Sequence, residues 1–189
     1  MKKIVYLFFF LLVGNFVFSQ DDEPNKEKPK SEIGVDGYVS ASNLGGIFSV
    51  GVKYAMVKDE KYVYGPSVRV QRLWSNNLGN KFGFNIIGAG GFFHYRLKNV
   101  FFVGAEIEML KSPLNLYYIY SPTKLVPTCF VGGGYSQEFE NIGIRVNAAV
   151  FYDVVNDPNS PFRTSYIMKN ANGALMPVIY RVGLFFPLN

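Results

Sequence analysis

Alternation of apolar and polar residues, breaks at regular spacing and aromatic residues gathered at segment ends predict an all-β chain. The fold class they point to is an eight-stranded antiparallel up-and-down transmembrane β-barrel. The segments expected as strands are 33–41, 47–57, 62–74, 81–95, 100–110, 124–137, 142–153 and 176–186. The gaps between them alternate in length. Lys58–Lys61, Arg96–Asn99 and Glu138–Asn141 are four residues each, whereas the first, third, fifth and seventh gaps run to 5, 6, 13 and 22. Tight turns at one end of an even-numbered meander and longer loops at the other are the pattern of a bacterial outer-membrane barrel.

The chain opens with a basic pair, Lys2 and Lys3, followed by an apolar run from Ile4 to Phe18 and a Val17-Phe18-Ser19 step before Gln20. Residues 1–19 are therefore expected to be a signal peptide exported through the Sec pathway. The run is too short and too interrupted for a retained span of roughly 20 residues. The next stretch, 20–31, reads QDDEPNKEKPKS and carries both signs of charge with no apolar side chain except proline. It cannot offset the entropy of ordering, so a disordered periplasmic leader is expected. Residues 32–189 then form one domain, the outer-membrane barrel. Removing Lys2 and Lys3 from the 19 basic residues leaves 17 against 14 acidic ones, an excess of +3 that is too small and scattered to argue for nucleic acid. The lone Cys129 can form no internal disulfide.

Period two is clearest late in the chain. Phe101, Val103, Ala105, Ile107 and Met109 share one face of the fifth segment, opposite Phe102, Gly104, Glu106, Glu108 and Leu110. In the seventh, Ile142, Ile144, Val146, Ala148, Val150 and Tyr152 oppose Gly143, Arg145, Asn147, Ala149, Phe151 and Asp153, and in the eighth Val178, Tyr180, Val182, Leu184 and Phe186 oppose Ile179, Arg181, Gly183 and Phe185. A soluble lipocalin-like barrel would turn the apolar face inward. The segment lengths and the terminal aromatics favour the inverted arrangement, with the apolar face towards lipid. Tyr54, Tyr62, Tyr64, Phe92, Phe93, Tyr95, Phe101, Phe102, Tyr135, Phe139, Phe185 and Phe186 are expected near the short turns. Phe48, Trp74, Phe82, Phe84, Tyr117, Tyr118, Tyr120, Phe151 and Tyr152 lie towards the loops. Parity places the turns in the periplasm and the loops outside.

The segments Phe130-Val131-Gly132-Gly133-Gly134-Tyr135, Asn141-Ile142-Gly143-Ile144-Arg145-Val146 and Met176-Pro177-Val178-Ile179-Tyr180-Arg181-Val182, with the Phe-Ser-Gln cleavage step, resemble small outer-membrane β-barrel proteins of Bacteroidota. The resemblance covers most of residues 60–189 and rests on strand patterns. Some similar proteins carry the name alpha-ketoglutarate decarboxylase, but thiamine-dependent chemistry needs a larger protein with a diphosphate and metal site. The closing Phe185-Phe186 resembles the aromatic-terminated last strand that barrel-assembly machinery recognises, extended here by Pro187, Leu188 and Asn189.

Chemical signatures are sparse. Glu106 and Glu108 share a strand face, a spacing that can serve acid and base work. An eight-stranded interior, however, is only wide enough to be filled by side chains. The alternation puts Asp36, Glu106 and Glu108 inside with Lys53, Arg69, Arg145 and Arg181, and with Gln71, Asn85 and Asn147. A structural salt-bridge core is the reading, because an unpaired buried charge is costly. His94, the only histidine, is expected at the turn-end rim as an interfacial residue. One His and one Cys do not make a usual transition-metal ligand set, and neither glycine run matches a phosphate loop.

The loops are the remaining place for function. Lys111–Thr123 reads KSPLNLYYIYSPT, and Val154–Leu175 is long enough to cover the barrel mouth or meet a partner. Tyr117, Tyr118, Tyr120, Phe162, Arg163 and Tyr166 are candidates for surface binding, since Tyr and Arg are favoured at hot spots. The alternative, that the tyrosines extend an aromatic girdle and the loop is mobile, stays open. The expectation is a non-enzymatic barrel with no cofactor, in an envelope-structural or surface-interaction role. Its expected partners are outer-membrane lipids, barrel-assembly machinery and an extracellular or envelope protein. The alternatives are a small transport or ligand-binding barrel and a lipid-modifying enzyme.

Overall fold

The computed structural model describes residues 30–42, 45–77, 80–97, 100–114, 120–139 and 143–188. The expected signal peptide and nearly all of the leader lie outside them. Eight antiparallel strands close a barrel: β1 Lys30–Ser42, β2 Gly45–Lys58, β3 Tyr62–Asn77, β4 Asn80–Leu97, β5 Phe101–Leu114, β6 Tyr120–Phe139, β7 Ile144–Asp153 and, last, β10 Val178–Leu188. Two short strands, β8 Met168–Lys169 and β9 Leu175–Met176, form a separate ladder in the segment between β7 and β10. Each barrel strand pairs with its neighbour in the meander. Closure comes from β1 against β10, in register from Ser31 opposite Leu188 to Gly37 opposite Val182.

All eight expected strands form, but most reach further than the alternation indicated. Only residues 43 and 44 separate β1 from β2, and only 78 and 79 separate β3 from β4. The long first and third loops are thus absent. Their residues continue the ladder with small and polar side chains, as in the rungs Ser42–Gly45 and Asn77–Asn80. Lys111–Leu114 and Tyr120–Thr123 likewise belong to β5 and β6, across an irregular register between Ser112 and Leu114. Backbone pairing does not stop where apolar alternation stops, so pattern alone placed the ends too early. The one long connection is 154–177. It rises above β7 and β10, which at 10 and 11 residues are the shortest barrel strands.

The two faces of the sheet carry opposite chemistry. Outward positions on every strand are predominantly apolar, with Val52, Val68, Val103, Val131, Val150 and Val182 among many exposed, and Ile87 and Leu125 at 61% and 68%. Inward positions hold the charges, with Arg69, Glu106 and Glu108 each 1% exposed. Exposed apolar side chains occur on all eight strands, whereas the largest such patch on a typical soluble monomer covers roughly 300–600 Å².

Aromatic rings stand together at the short-turn end. Tyr62 lies 5.3 Å from Tyr95 and 6.3 Å from Phe93 between ring centroids, and Phe101 meets Tyr135 edge-on at 6.1 Å. Parity divides the aromatics expected there: Phe92, Phe102 and Phe185 point into the lumen, as does Phe151 towards the loops. They join two buried clusters. The smaller, at the turn end, contains Ala55, Val57, Val63, Phe92 and Phe185. The larger includes Tyr38, Ile47, Phe130, Phe151 and Ile179 and reaches the loop-end mouth.

Candidate functional site

Between these apolar clusters the lumen is crossed by a ring of charges. Lys53 Nζ lies 2.5 Å from Glu106 Oε1, and Arg181 Nη1 donates to Glu106 Oε2 and reaches Glu108 Oε1 at 3.4 Å. Arg69 Nε donates to both oxygens of Glu108 at 2.9 Å, while its Nη2 donates to Asp36 Oδ1 at 2.8 Å. The ring closes where Lys53 Nζ sits 2.9 Å from Asp36 Oδ2, an ion contact without hydrogen-bond alignment. Asp36, Lys53, Glu106, Arg181, Glu108 and Arg69 thus alternate in sign around a loop with no net formal charge.

The sheet builds this ring from residues far apart in sequence. Each member occupies an inward position on β1, β2, β3, β5 or β10, so strand pairing alone brings them to one layer. Gly51 leaves the space that Arg69 needs: a Cβ there would lie 2.8 Å from Arg69 Nη2. Ser49 Oγ accepts from Arg69 Nη1 at 3.2 Å. Strands β6 and β7 contribute rings instead of charges. Phe130 and Phe151 lie 4.5 and 5.7 Å from the Arg181 guanidinium carbon, which also has Phe162 at 5.4 Å. The Arg181 Nε and Nη2 groups, which have no acceptor among the described residues, therefore face aromatic density. Gln71, fully buried, has no partner for either amide atom among the described residues.

His94 is part of this layer and not of the rim. Its Nε2 lies 2.9 Å from Glu106 Oε1, and its ring packs 4.7 Å from Phe102 and 5.0 Å from Phe92. His94 pairs with Gly104 and Phe92 with Glu106, so His94 and Glu106 are diagonal neighbours on the inward face. The signal was available in parity, because Phe92 and His94 alternate with the outward Phe93 and Tyr95. Asn85, expected inside, is outward: it accepts from Arg72 Nη1 at 2.7 Å on the exposed face of β3 and β4. Gln71 and Asn147 are buried as expected.

Arg145 is buried but stands apart from Glu106. Arg181 pairs with Ala149 and Phe185 with Arg145, which sets Arg145 two inward positions nearer the turn end. There it donates to Glu138 and, at 3.5 Å, to Ser136. Beside it Arg96 holds Glu32 in two hydrogen bonds of 3.0 and 2.6 Å. Sequence reasoning missed Glu32, Arg96 and Glu138 because they fall beyond the segment ends that alternation defined.

The loop folds inward over the low side of the wall. Ser160 Oγ accepts from Phe162 N at 3.3 Å and starts a short 3-10 helix, Pro161–Ser165. Phe162, fully buried, packs edge-on against Phe130 at 4.8 Å and lies 6.0 Å from Tyr38. Tyr166 is also buried, its hydroxyl donating to Asp153 Oδ2 at 3.2 Å. Neither side chain is exposed as a surface candidate would be, because β7 and β10 end too soon to cover Phe130 and Ile179. Arg163 is half-buried and donates to Asn156 Oδ1 at 2.9 Å. Tyr117 and Tyr118 lie outside the described residues, and Tyr120 opens β6 opposite Leu114.

Every carboxylate of the ring already engages cations, which makes the layer a cross-barrel tie and leaves no free acid facing solvent. The glycine runs of β4 and β6 lie within strands and lead into no helix. No known family model, curated protein or solved structure matches this chain.

Proposed function

We propose that this chain is a non-enzymatic outer-membrane barrel with a closed lumen, serving envelope structure or surface interaction, and that the turns after β2, β4 and β6 face the periplasm. The observation that carries the reading is the inversion of the sheet: apolar side chains outside on all eight strands and a neutral ring of charges inside. In water the exposed belt would be costly, at roughly 25 cal/mol per Å². In a bilayer it is matched to lipid, and the closed sheet leaves no unpaired edge for the hydrocarbon to meet. The aromatic girdle at the turn end fits an interface. This agrees with the resemblance to small outer-membrane barrels of Bacteroidota. The β8–β9 ladder and its approach leave Ile167, Met168 and Leu175 exposed, which supports contact with an envelope or extracellular partner.

The test is fractionation of cells making the chain. It is expected to sediment with the outer membrane and to migrate differently on gels before and after boiling. Recovery as a soluble periplasmic protein would overturn the reading. Purified protein in planar bilayers is expected to give no stable conductance, and large persistent steps would favour a transport barrel instead.

A further inference from the structure

Exposed charge is distributed unequally between the two ends of the barrel. The exposed acidic residues among those described, Asp59, Glu60 and Glu138, all lie at the short-turn end, where Lys58 and Lys61 accompany them. At the loop end the exposed charges among the described residues are Arg72, Lys111, Lys124 and Lys169, all cationic, with Asp157 and Arg163 half-buried there. Two of these, Arg72 on β3 and Lys111 on β5, face outward at the loop-end margin of the apolar belt, one outward position above Val70 and Met109 and level with Phe48, Ile87 and Leu125.

The geometry across β3, β4 and β5 brings these two together. Arg72 pairs with Asn85, and Lys111 pairs with Ile87, two residues along the same outward face of β4. With strands about 4.8 Å apart and a rise of about 3.3 Å per residue, the two Cα atoms stand roughly 12 Å apart. Both side chains are long enough to converge on a group held over β4. The Arg72 guanidinium is steadied by its 2.7 Å hydrogen bond to Asn85 Oδ1. It also lies over Gly83, where a Cβ would come within 2.8 Å of Arg72 Nη2. Neither cation has an acidic partner among the described residues, unlike every charge of the lumen ring.

We propose that Arg72, Asn85 and Lys111 form a site for the phosphate of an anionic lipid in the leaflet at the loop end. The lipid's chains lie on the belt around Ile87, Val70 and Met109. A guanidinium and an ammonium with donors to spare, set at the boundary of an apolar surface, match a phosphate attached to hydrocarbon. The proposal rests on the membrane reading above. A free phosphate ion would gain nothing from the belt, so the lipid is the source.

Trp74, the chain's single tryptophan, lies on the same outward face as Arg72 and supplies a built-in reporter. The full chain is reconstituted in phosphatidylcholine vesicles containing brominated-chain phosphatidic acid or brominated-chain phosphatidylcholine, and Trp74 quenching is compared. The phosphatidic acid is expected to quench preferentially. Arg72→Gln and Lys111→Gln should each weaken that preference about fivefold, the effect of roughly one cation near an anionic surface. Lys58→Gln at the opposite end should leave it unchanged. Equal quenching by both lipids in the parent chain, or a preference that survives the double variant, would overturn the site while leaving membrane insertion intact. Excess inorganic phosphate that abolishes the preference would also overturn it, by showing that the hydrocarbon plays no part. Absence of quenching by either lipid, with no change in gel migration on boiling, would instead remove the membrane reading.

Discussion

Two sets of ion pairs fill this lumen, and they differ in depth more than in chemistry. The central ring of Asp36, Lys53, Arg69, Glu106, Glu108 and Arg181 is sealed between apolar clusters, with no member more than 5% exposed. The rim pairs, Glu32–Arg96 and Glu138–Arg145, sit at the turn end, where the side chain of Glu138 is 47% exposed. Water can replace a lost partner at the rim. It cannot readily do so in the ring, where each carboxylate serves two cations and deletion of one leaves a charge stranded. The same residue types therefore act as sealed ties in the ring and as pairs within reach of water at the rim.

The sharpest way to break this contrast is Glu106→Ala, which removes the contacts of Lys53, His94 and Arg181 together. A loss of about 3–5 kcal/mol is expected, read by urea unfolding in lipid vesicles. Combining it with Lys53→Ala should cost clearly less than the sum of the two alone. Combining it with Arg145→Ala should be additive within about 0.5 kcal/mol, since Arg145 belongs to the other set. Additivity with Lys53 and coupling to Arg145 would reverse the assignment.

Phe162→Ala comes next. It opens a cavity over Phe130 and takes one ring from Arg181, so about 3 kcal/mol is expected in the same assay. Limited proteolysis should then cut the 154–177 segment faster. An unchanged cleavage rate would show that the packing of Phe162 does not hold the loop down.

At the rim, Glu32→Ala should cost about 1–2 kcal/mol, because its two hydrogen bonds to Arg96 are partly shielded. Glu138→Ala should cost no more than about 1 kcal/mol. Raising salt should shrink the Glu138 effect and leave that of Glu106 nearly untouched. A comparable salt response from both would mean that water reaches the ring.

Alternation was enough to locate all eight strands and to assign Asp36, Lys53, Arg69, Glu106, Glu108, Arg145 and Arg181 to the inward face. A side-chain period of two determines the face and nothing further. It does not determine stagger between strands, which separates Arg145 from Glu106 and joins His94 to it. Nor does it mark strand ends where polar residues keep pairing, which hid Glu32, Arg96 and Glu138. The burial of Phe162 and Tyr166 depends on how low the wall stands at β7 and β10, a property of the closed barrel and not of the loop's composition.

The β1–β10 seam sets a condition on assembly. Every other barrel pairing joins barrel strands that are consecutive in the chain, whereas this one joins Gly37 to Val182, so the sheet has two open edges until the final strand arrives. The charges arrive in the same order. Asp36, Glu106 and Glu108 come with only Lys53 and Arg69 to oppose them, and the missing cation, Arg181, is carried by β10 itself. A chain stalled before its last strand therefore holds a surplus carboxylate where the lumen should be dry. Edge closure and charge neutrality are reached in one step, so an incomplete barrel differs from a finished one in its interior electrostatics as well as its shape.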